Sequence, residues 1–312
     1  MSALNEGENS VLVSIAMCTY NGEVFLDQQI QSILNQTYTN LELIIVDDCS
    51  TDETFELLQS WHTKHPSKFK IYRNEKNLGY NKNFEKAISL CSGDFIAISD
   101  QDDIWLSTKI EKLIDTFTKD DIVLSHCASI HLLGNKLKSK SGVLRWERHF
   151  SGNNTSSLFL FNQVQGHNMM FRKTLVPYIV PLPDDVYYDW WIAIVATCYG
   201  SISSVPEYLV QHRLHRNNAY FQKERKTKKE DRLYLLNTLK AFSGIGQMEP
   251  AARRFLAELI QQISTSVNAF NHKFDFKLFK FIYKNRWAIF GHKKRLFPEW
   301  SLLKASFRYA KP

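Results

Sequence analysis

The acidic run Asp100-Gln101-Asp102-Asp103 stands directly after the apolar stretch Phe95-Ile96-Ala97-Ile98. Carboxylates gathered at the exit of a buried strand repel one another, so a cation is the expected compensation. Hard oxygen donors of this kind suit Mg²⁺ or Mn²⁺, which bind through a few carboxylates together with phosphate oxygens. The chemistry this favours is work on the phosphates of a nucleotide. Short acidic runs also sit in solvated loops, and Asp103 could cap a helix beginning near Trp105. The run therefore gains meaning from its companions. Asp47-Asp48-Cys49-Ser50-Thr51-Asp52 follows a second apolar stretch, and Asp48 there is either a ligand-binding carboxylate or the centre of an Asx-turn. Asp189 lies in the aromatic setting Tyr187-Tyr188-Asp189-Trp190-Trp191, with Asp184 and Asp185 close by in sequence. His212-Arg213-Leu214-His215-Arg216-Asn217-Asn218 adds imidazole and guanidinium groups.

Groups so far apart in sequence meet only if the strands that carry them end at one edge of a sheet. Apolar runs over 11–18, 41–46 and 95–99, separated by helical patterns, predict a βαβ series and a mostly parallel sheet. Leu26, Ile30, Ile33 and Leu34 have helical spacing after the Asn21-Gly22 turn. Thr54, Leu57, Leu58 and Trp61 repeat it, with Ser50 or Asp52 placed as N-cap. Residues 109–117 read as a helix and 122–126 as a strand. A Gly-, Ser- and Asn-rich loop covers about 134–157. Gly166-His167-Asn168 is a turn entering an apolar strand, and an apolar helix starts at 187 after the Pro177–Pro183 break. Ligands of such sheets bind beyond the carboxyl ends of the strands, where Tyr20, Asp48 and Asp100 fall.

One more block, Asn77-Leu78-Gly79-Tyr80-Asn81-Lys82-Asn83, precedes Ser92-Gly93-Asp94 and the acidic run. With the runs ending at Tyr20 and Asp48, and with Asp100-x-Asp102, the chain in this order resembles family 2 glycosyltransferases of the GT-A fold. The wording Ser-Asp-Gln-Asp-Asp-Ile-Trp is most similar to rhamnosyltransferase-type members that build bacterial surface polysaccharides. The likeness is strong over about residues 11–110, looser to about 220 and absent beyond. It implies an inverting, metal-dependent enzyme that takes sugar from a UDP- or dTDP-sugar, dTDP-rhamnose being the guess, to a glycan or lipid-linked acceptor. It implies that Asp48 accepts the N3–H of a uracil or thymine ring against which Tyr20 packs. Asp100 would lie near the ribose, and Asp102 would bind Mg²⁺ or Mn²⁺. Asn83 belongs to a donor-side block, although it could instead be an N-cap. Arg213 would pair with phosphate, and His215 would complete the metal shell or touch the pyrophosphate.

The resemblance makes Asp189 the base that takes a proton from the acceptor hydroxyl in a single in-line displacement. Desolvation would raise its pKa, and the start of a helix would favour the anion. Members of this type often carry His before that Asp, where Tyr188 stands here, so an auxiliary role for such a His is not transferred. Two other classes compete. A sugar nucleotidyltransferase also uses paired Asp, but it usually opens with a Gly-rich loop and a basic residue that Cys18-Thr19-Tyr20-Asn21-Gly22 lacks. A non-catalytic nucleotide-binding protein would need the acids to be decayed, and Asp48, Asp100, Asp102 and Asp189 are all present.

A chain of 312 residues with 44% apolar content has room for one large α/β domain and an appendage. The five cysteines are scattered without Cys-x-x-Cys spacing, as expected of reduced thiols. The first ten residues show no signal-peptide pattern, and no apolar run is long enough to span a membrane. A cytoplasmic protein is therefore expected. Residues 1–220 carry 19 Lys and Arg against 25 Asp and Glu, whereas residues 221–312 carry 20 against 7. The expected division is thus a GT-A domain over 1–220 and a basic helical region over 221–312. Lys273, Lys277, Lys280 and Lys284 fall on one helical face, beside Phe274, Leu278, Phe281 and Ile282. His292-Lys293-Lys294-Arg295 follows. Such a helix either lies in a membrane interface on anionic lipid or packs its apolar stripe on the core. No nucleic-acid-binding motif accompanies the charge, and no nucleic-acid partner is expected.

Overall fold

The computed structural model describes residues 11–134, 136–138, 150–215, 227–270, 274–290 and 298–311. Its first half alternates strictly: β1 (Val13–Thr19), α1 (Glu23–Leu34), β2 (Leu41–Asp47), α2 (Thr54–Lys64), β3 (Phe69–Arg73), α3 (Tyr80–Leu90) and β4 (Phe95–Ser99). The strand pairs β1–β2, β1–β4 and β2–β3 are all parallel. The next elements are β5 (Ile104–Trp105), α4 (Lys109–Ile114), β6 (Ile122–Leu133), β7 (Lys136–Lys138), β8 (Met169–Arg172), α5 (Val176–Ile179), α6 (Tyr188–Tyr199) and β9 (Ser201–Arg213). They extend the sheet in the order β3-β2-β1-β4-β8-β6-β9-β5, with β7 paired to β6. Strand β8 is antiparallel to both β4 and β6, so the mixed half grows from the end of the parallel half.

Alternation along the strands explains why the central ones are apolar throughout. Val13, Ile15 and Met17 of β1, Leu43 and Ile45 of β2, and Phe95 and Ala97 of β4 pack with Leu26, Ile30 and Ile33 of α1 and Leu58 of α2. Their neighbours Ala16, Ile44, Val46, Ile96 and Ile98 face the other way, onto Phe84, Ala87 and Ile88 of α3. A period-2 pattern with both faces covered leaves no position for water-facing residues. Inside these strands Ser14 and Glu42 are buried polar side chains, and the Ser14 hydroxyl donates to Glu42. Burial alone would push the Glu42 carboxyl up, but Lys70, Ser14 and Ser92 hold it at about 2.

The C-terminal helices are α7 (Lys228–Ser243), α8 (Pro250–Asn268), α9 (Phe276–Lys284), α10 (Arg286–Phe290) and α11 (Pro298–Ala310). They do not form a core of their own. Leu236, Leu239, Phe242, Leu256, Ile263, Leu278, Ile282 and Phe290 join the same buried cluster as Leu158, Ile192 and Ile44. The expected boundary at 220 lies outside the described residues. Of the apolar stripe read on α9, Leu278 and Ile282 are buried in this cluster and Phe281 packs against it, so the stripe covers the core. Among the described residues no helix is long and apolar enough to cross a membrane.

Two local expectations are corrected. Residues 104–105 form a short strand on β9 rather than the start of a helix, so Asp103 caps nothing there. Helix α2 has Glu53 at its N-cap without a side-chain bond, while Asp52 bonds the Thr54 N–H and hydroxyl.

Candidate active site

The carboxyl ends of β1 and β2 turn through left-handed residues, Asn21 (φ 48°) and Cys49 (φ 63°). Non-glycine residues are held there only when surrounding bonds fix them. The Asn21 side-chain oxygen accepts from the Thr51 N–H (2.9 Å). Asp47, fully buried, accepts from the Thr19 hydroxyl (3.0 Å) and from the Ser50 N–H (3.0 Å). The turn-making role weighed for Asp48 thus belongs to Asp47.

Asp48 is 3% exposed and points the other way. Its carboxylate accepts from the Leu78 N–H (2.8 Å), the Gly79 N–H (2.9 Å) and the Asn74 amide (2.7 Å). Gly79 turns at φ 80° to open α3, a conformation that suits glycine. Asn83 lies inside α3, not at its N-cap, and is 2% exposed. Its amide bonds the Val46 carbonyl (2.9 Å) and accepts from Asn74 (3.0 Å). Asn83 therefore braces the Asp48 pocket from beneath.

Tyr20 is 45% exposed on the loop after β1. The Gln101 side chain holds that loop to the acidic turn: its oxygen accepts from the Tyr20 N–H (2.8 Å) and its NH₂ donates to the Tyr20 carbonyl (3.0 Å). Tyr20 and the acidic turn are thus fixed to one another through backbone bonds that any residue but proline could supply at position 20.

Around that turn the carboxylates meet imidazoles. Asp102 Oδ2 lies 2.7 Å from His215 Nε2. Asp103 Oδ1 accepts from the Arg213 N–H (3.0 Å) and contacts His212 Nδ1 (3.0 Å). Its other oxygen is buried without a hydrogen-bond partner, 3.9 Å from His167 Nδ1. His167 Nδ1 is in turn 3.5 Å from Asp100 Oδ2, and its ring stacks on His212 with centroids 4.5 Å apart. Arg213 donates to the Asp102 carbonyl (2.8 Å) and the Gln28 side chain (2.5 Å), with its guanidinium over the Phe25 ring. Burial pushes the Asp102 carboxyl up, Asp103 and Asp100 push it further, and His215 pulls it only part of the way back. Asp103 would also rise through burial, but His167, His212 and the Arg213 N–H hold it below its ordinary value. Asp103 in turn raises His212 against the effect of burial. A carboxylate left this uncomfortable at Asp102 is a place where added positive charge is favourable.

Asp189 approaches from α6. Its carboxylate accepts from the Trp190 N–H (2.7 Å) and from the Gly166 N–H, yet burial lifts its pKa to about 6. His167 and Asp100 both act on its charge, which puts it beside the acidic turn. Asp184 is 81% exposed at its side chain and pairs with Lys82 (3.3 Å), and Asp185 is exposed. The turn at Gly166–Asn168 joins the two parts: Gly166 touches Asp189 and His167 touches the acids. A β-carbon on Gly166 would come within 2.7 Å of Tyr188 Cζ, a buried ring with no free direction. Gly166→Ala is therefore expected to lower stability by about 1–3 kcal/mol and to lower activity with it. Chemical denaturation of the variant checks the first, and an unchanged midpoint would show that the turn gives way.

The sequence did not single out His167, or Lys109, which is fully buried. Lys109 Nζ donates to the His167 carbonyl (2.7 Å) and lies 3.3 Å from the Trp105 ring centroid, and burial lowers its pKa to about 8. The available signal for His167 was a Gly-His-Asn turn before a buried strand. The donors Asp102 Oδ2 and His215 Nε2 fit a metal such as Mn²⁺ or Mg²⁺. Among the described residues Asp103, His167 and His212 also bring ligand atoms within 4.8 Å of one another.

Residues 14–178 match the family model described as glycosyl transferase family 2. The chain belongs to glycosyl transferase family 2. Among curated relatives, this glycosyltransferase is 31% identical over 253 residues to an uncharacterised glycosyltransferase of Haemophilus influenzae, covering 74% of this chain and 76% of that one. It is 40% identical over 112 residues to the Escherichia coli protein WfgD, described as a UDP-Glc:alpha-D-GlcNAc-diphosphoundecaprenol beta-1,3-glucosyltransferase, covering 36% of this chain and 43% of WfgD. In fold the glycosyltransferase is similar to S. aureus TarS 1-349 in complex with UDP-GlcNAc, with a TM-score of 0.64 at 14% identity over 89% of this chain and 81% of that one. It is also similar to the mannosyltransferase PcManGT of Pyrobaculum calidifontis in complex with GDP-Man and Mn²⁺, with a TM-score of 0.59 at 16% identity over 95% of this chain and 79% of that one. The fold is GT-A-like, and the enzyme transfers a sugar from a nucleotide sugar. The nucleotidyltransferase and non-catalytic readings are left without support.

Proposed function

We propose that this enzyme is an inverting, metal-dependent glycosyltransferase that takes its sugar from a UDP- or dTDP-sugar to a lipid-linked or glycan acceptor in bacterial surface polysaccharide synthesis. The observation that carries the reading is the contact of Asp102 with His215 at 2.7 Å, next to Asp100, whose charge acts on both Asp102 and Asp189. Asp102 and His215 would hold Mg²⁺ or Mn²⁺. That ion, when bound, offsets the charge of the departing pyrophosphate. Arg213 lies against the same turn and adds positive charge toward phosphate. Asp48 accepts three N–H groups from the protein, and a carboxylate has about four lone-pair sites. One remains for the N3–H of a pyrimidine base, with Tyr20 packing on the ring and Asn83 holding the pocket. Asp100 would lie near the ribose.

In the transfer itself Asp189 takes the proton of the acceptor hydroxyl as that oxygen attacks the anomeric carbon and the carbon–pyrophosphate bond breaks. One displacement inverts the anomeric centre. A base with a pKa of about 6 is ionised at neutral pH and still basic enough to be useful there.

The rhamnosyltransferase-like wording over 99–105 favours dTDP-rhamnose as donor. The likeness to WfgD favours UDP-glucose and an acceptor carried on diphosphoundecaprenol. Thermal unfolding against UDP-, dTDP- and GDP-sugars, each with Mn²⁺ and with EDTA, separates them. Ligand at about 100 times its dissociation constant adds about 2.7 kcal/mol and raises the midpoint by several degrees. A metal-dependent rise with one UDP- or dTDP-sugar is expected. A rise with GDP-sugars alone would overturn the pyrimidine assignment.

A further inference from the structure

Helices α9 and α11 lie side by side in opposite directions. The Asp275 N–H bonds the Ala310 carbonyl (3.0 Å) at one end, and Arg286 pairs with Glu299 (3.1 Å) at the other. Their inner sides bury Leu278, Ile282 and Leu302. The outer side has a different character. Trp300 is 74% exposed, Phe276 67% and Phe307 43%, and Trp287 of α10, just past the end of α9, is 49% exposed. Between these rings stand the exposed cations Lys277, Lys280 and Lys284 on one helix and Lys304, Arg308 and Lys311 on or just after the other. Positions 300, 304, 307, 308 and 311 follow steps of four, three, one and three, so the rings and cations of α11 share one face. The carboxylates of these two helices are both engaged: Glu299 with Arg286, and Asp275 as the cap of α9.

We infer that this paired face docks on an anionic lipid bilayer. Rings of Trp and Phe at this exposure favour the boundary between headgroups and acyl chains, while neighbouring Lys and Arg meet lipid phosphates. Charge decides the occupant. A second copy seated on the same face would oppose cation to cation, whereas an anionic surface satisfies the rings and the cations together. The set differs from the stripe read in the sequence, since Leu278 and Ile282 belong to the core.

The test is co-sedimentation of the full chain with vesicles of phosphatidylglycerol and phosphatidylcholine, against vesicles of phosphatidylcholine alone. Binding to the anionic vesicles that weakens with salt is expected. Phe276→Ser with Trp300→Ser should weaken it about tenfold or more. Lys280→Gln with Lys304→Gln should do so about tenfold on anionic vesicles only. Unchanged thermal midpoints show that both variants are folded. No binding of the parent chain to anionic vesicles would overturn the inference, as would parent-like binding by both variants. Concentration-dependent dimerisation abolished by Phe276→Ser, or equal binding to duplex DNA, would assign the face to another partner. Asp102→Ala should bind vesicles as the parent does, so this result stands apart from the fate of the catalytic reading.

Discussion

Asp102→Ala is expected to leave a folded protein that has lost its metal-dependent gain in stability with nucleotide sugar and transfers sugar about 10³-fold more slowly. The folded state should survive because burial makes the Asp102 carboxylate unfavourable in isolation, and its neighbours Asp103 and Asp100 make it more so. Removing it relieves repulsion in the free enzyme. The same removal takes away the oxygen that faces His215 at 2.7 Å. His215→Ala should act in the same direction with a smaller loss, since one donor on the ion is more easily replaced by water than a charged one. Calorimetric titration of Mn²⁺ together with the nucleotide measures both. Parent-like metal affinity in Asp102→Ala would move the ion to Asp103, His167 and His212, whose ligand atoms also gather within 4.8 Å.

Asp189→Asn should reduce turnover about 10²–10⁴-fold while donor affinity changes little, because its proposed role is to take the acceptor proton. The pH profile carries the sharper signature. In the parent, activity should rise with pH up to a pKa of about 6 and level off above it, and that limb should disappear in the variant. Stability moves the opposite way. Folding raises this carboxyl from 3.8 to about 6, so the folded state holds the proton longer than the unfolded chain. Whatever stability the group contributes is complete below 3.8 and is lost as pH rises through 6. An amide cannot ionise but still accepts from the Trp190 N–H. Asp189→Asn should therefore be more stable than the parent near neutral pH, by about 1–3 kcal/mol, with the difference shrinking as pH falls toward about 4. Denaturant unfolding across that range checks it. A less stable variant at neutral pH would mean that the carboxylate anchors α6.

The parallel half of the fold was legible because β1, β2 and β4 are apolar on both faces and end in Asp and Asn turns. The acidic turn was legible for the same reason: it could only lie at a strand exit. What stayed hidden depends on contacts between distant segments. Nothing local marks β5 as a strand, since Ile104 and Trp105 pair with β9 across about a hundred positions of chain. His167 stands 62 residues after Trp105 and acquires meaning only through Asp100, Asp103 and Lys109 around it. Asp48 and Asn83 read as donor-side residues, yet the bonds of Asp48 to Leu78 and Gly79, and of Asn83 to Val46, show how far each also supports the fold. On α9 the amphipathic period was plain, but the period does not say which neighbour covers the apolar side. Leu278 and Ile282 went to the core, and the exposed rings are Phe276 and its neighbours on α11.

The proposed transfer is a single displacement at the acidic turn with Asp189 as base. Its most direct measurement is the anomeric configuration of the product, read by NMR after transfer in Mn²⁺ from the donor that the stability screen selects to a diphosphate-linked lipid acceptor. Inversion in the parent enzyme, with transfer lost in Asp189→Asn while donor still binds, is the predicted result. Retention of configuration, or parent-like transfer by Asp189→Asn, would contradict it.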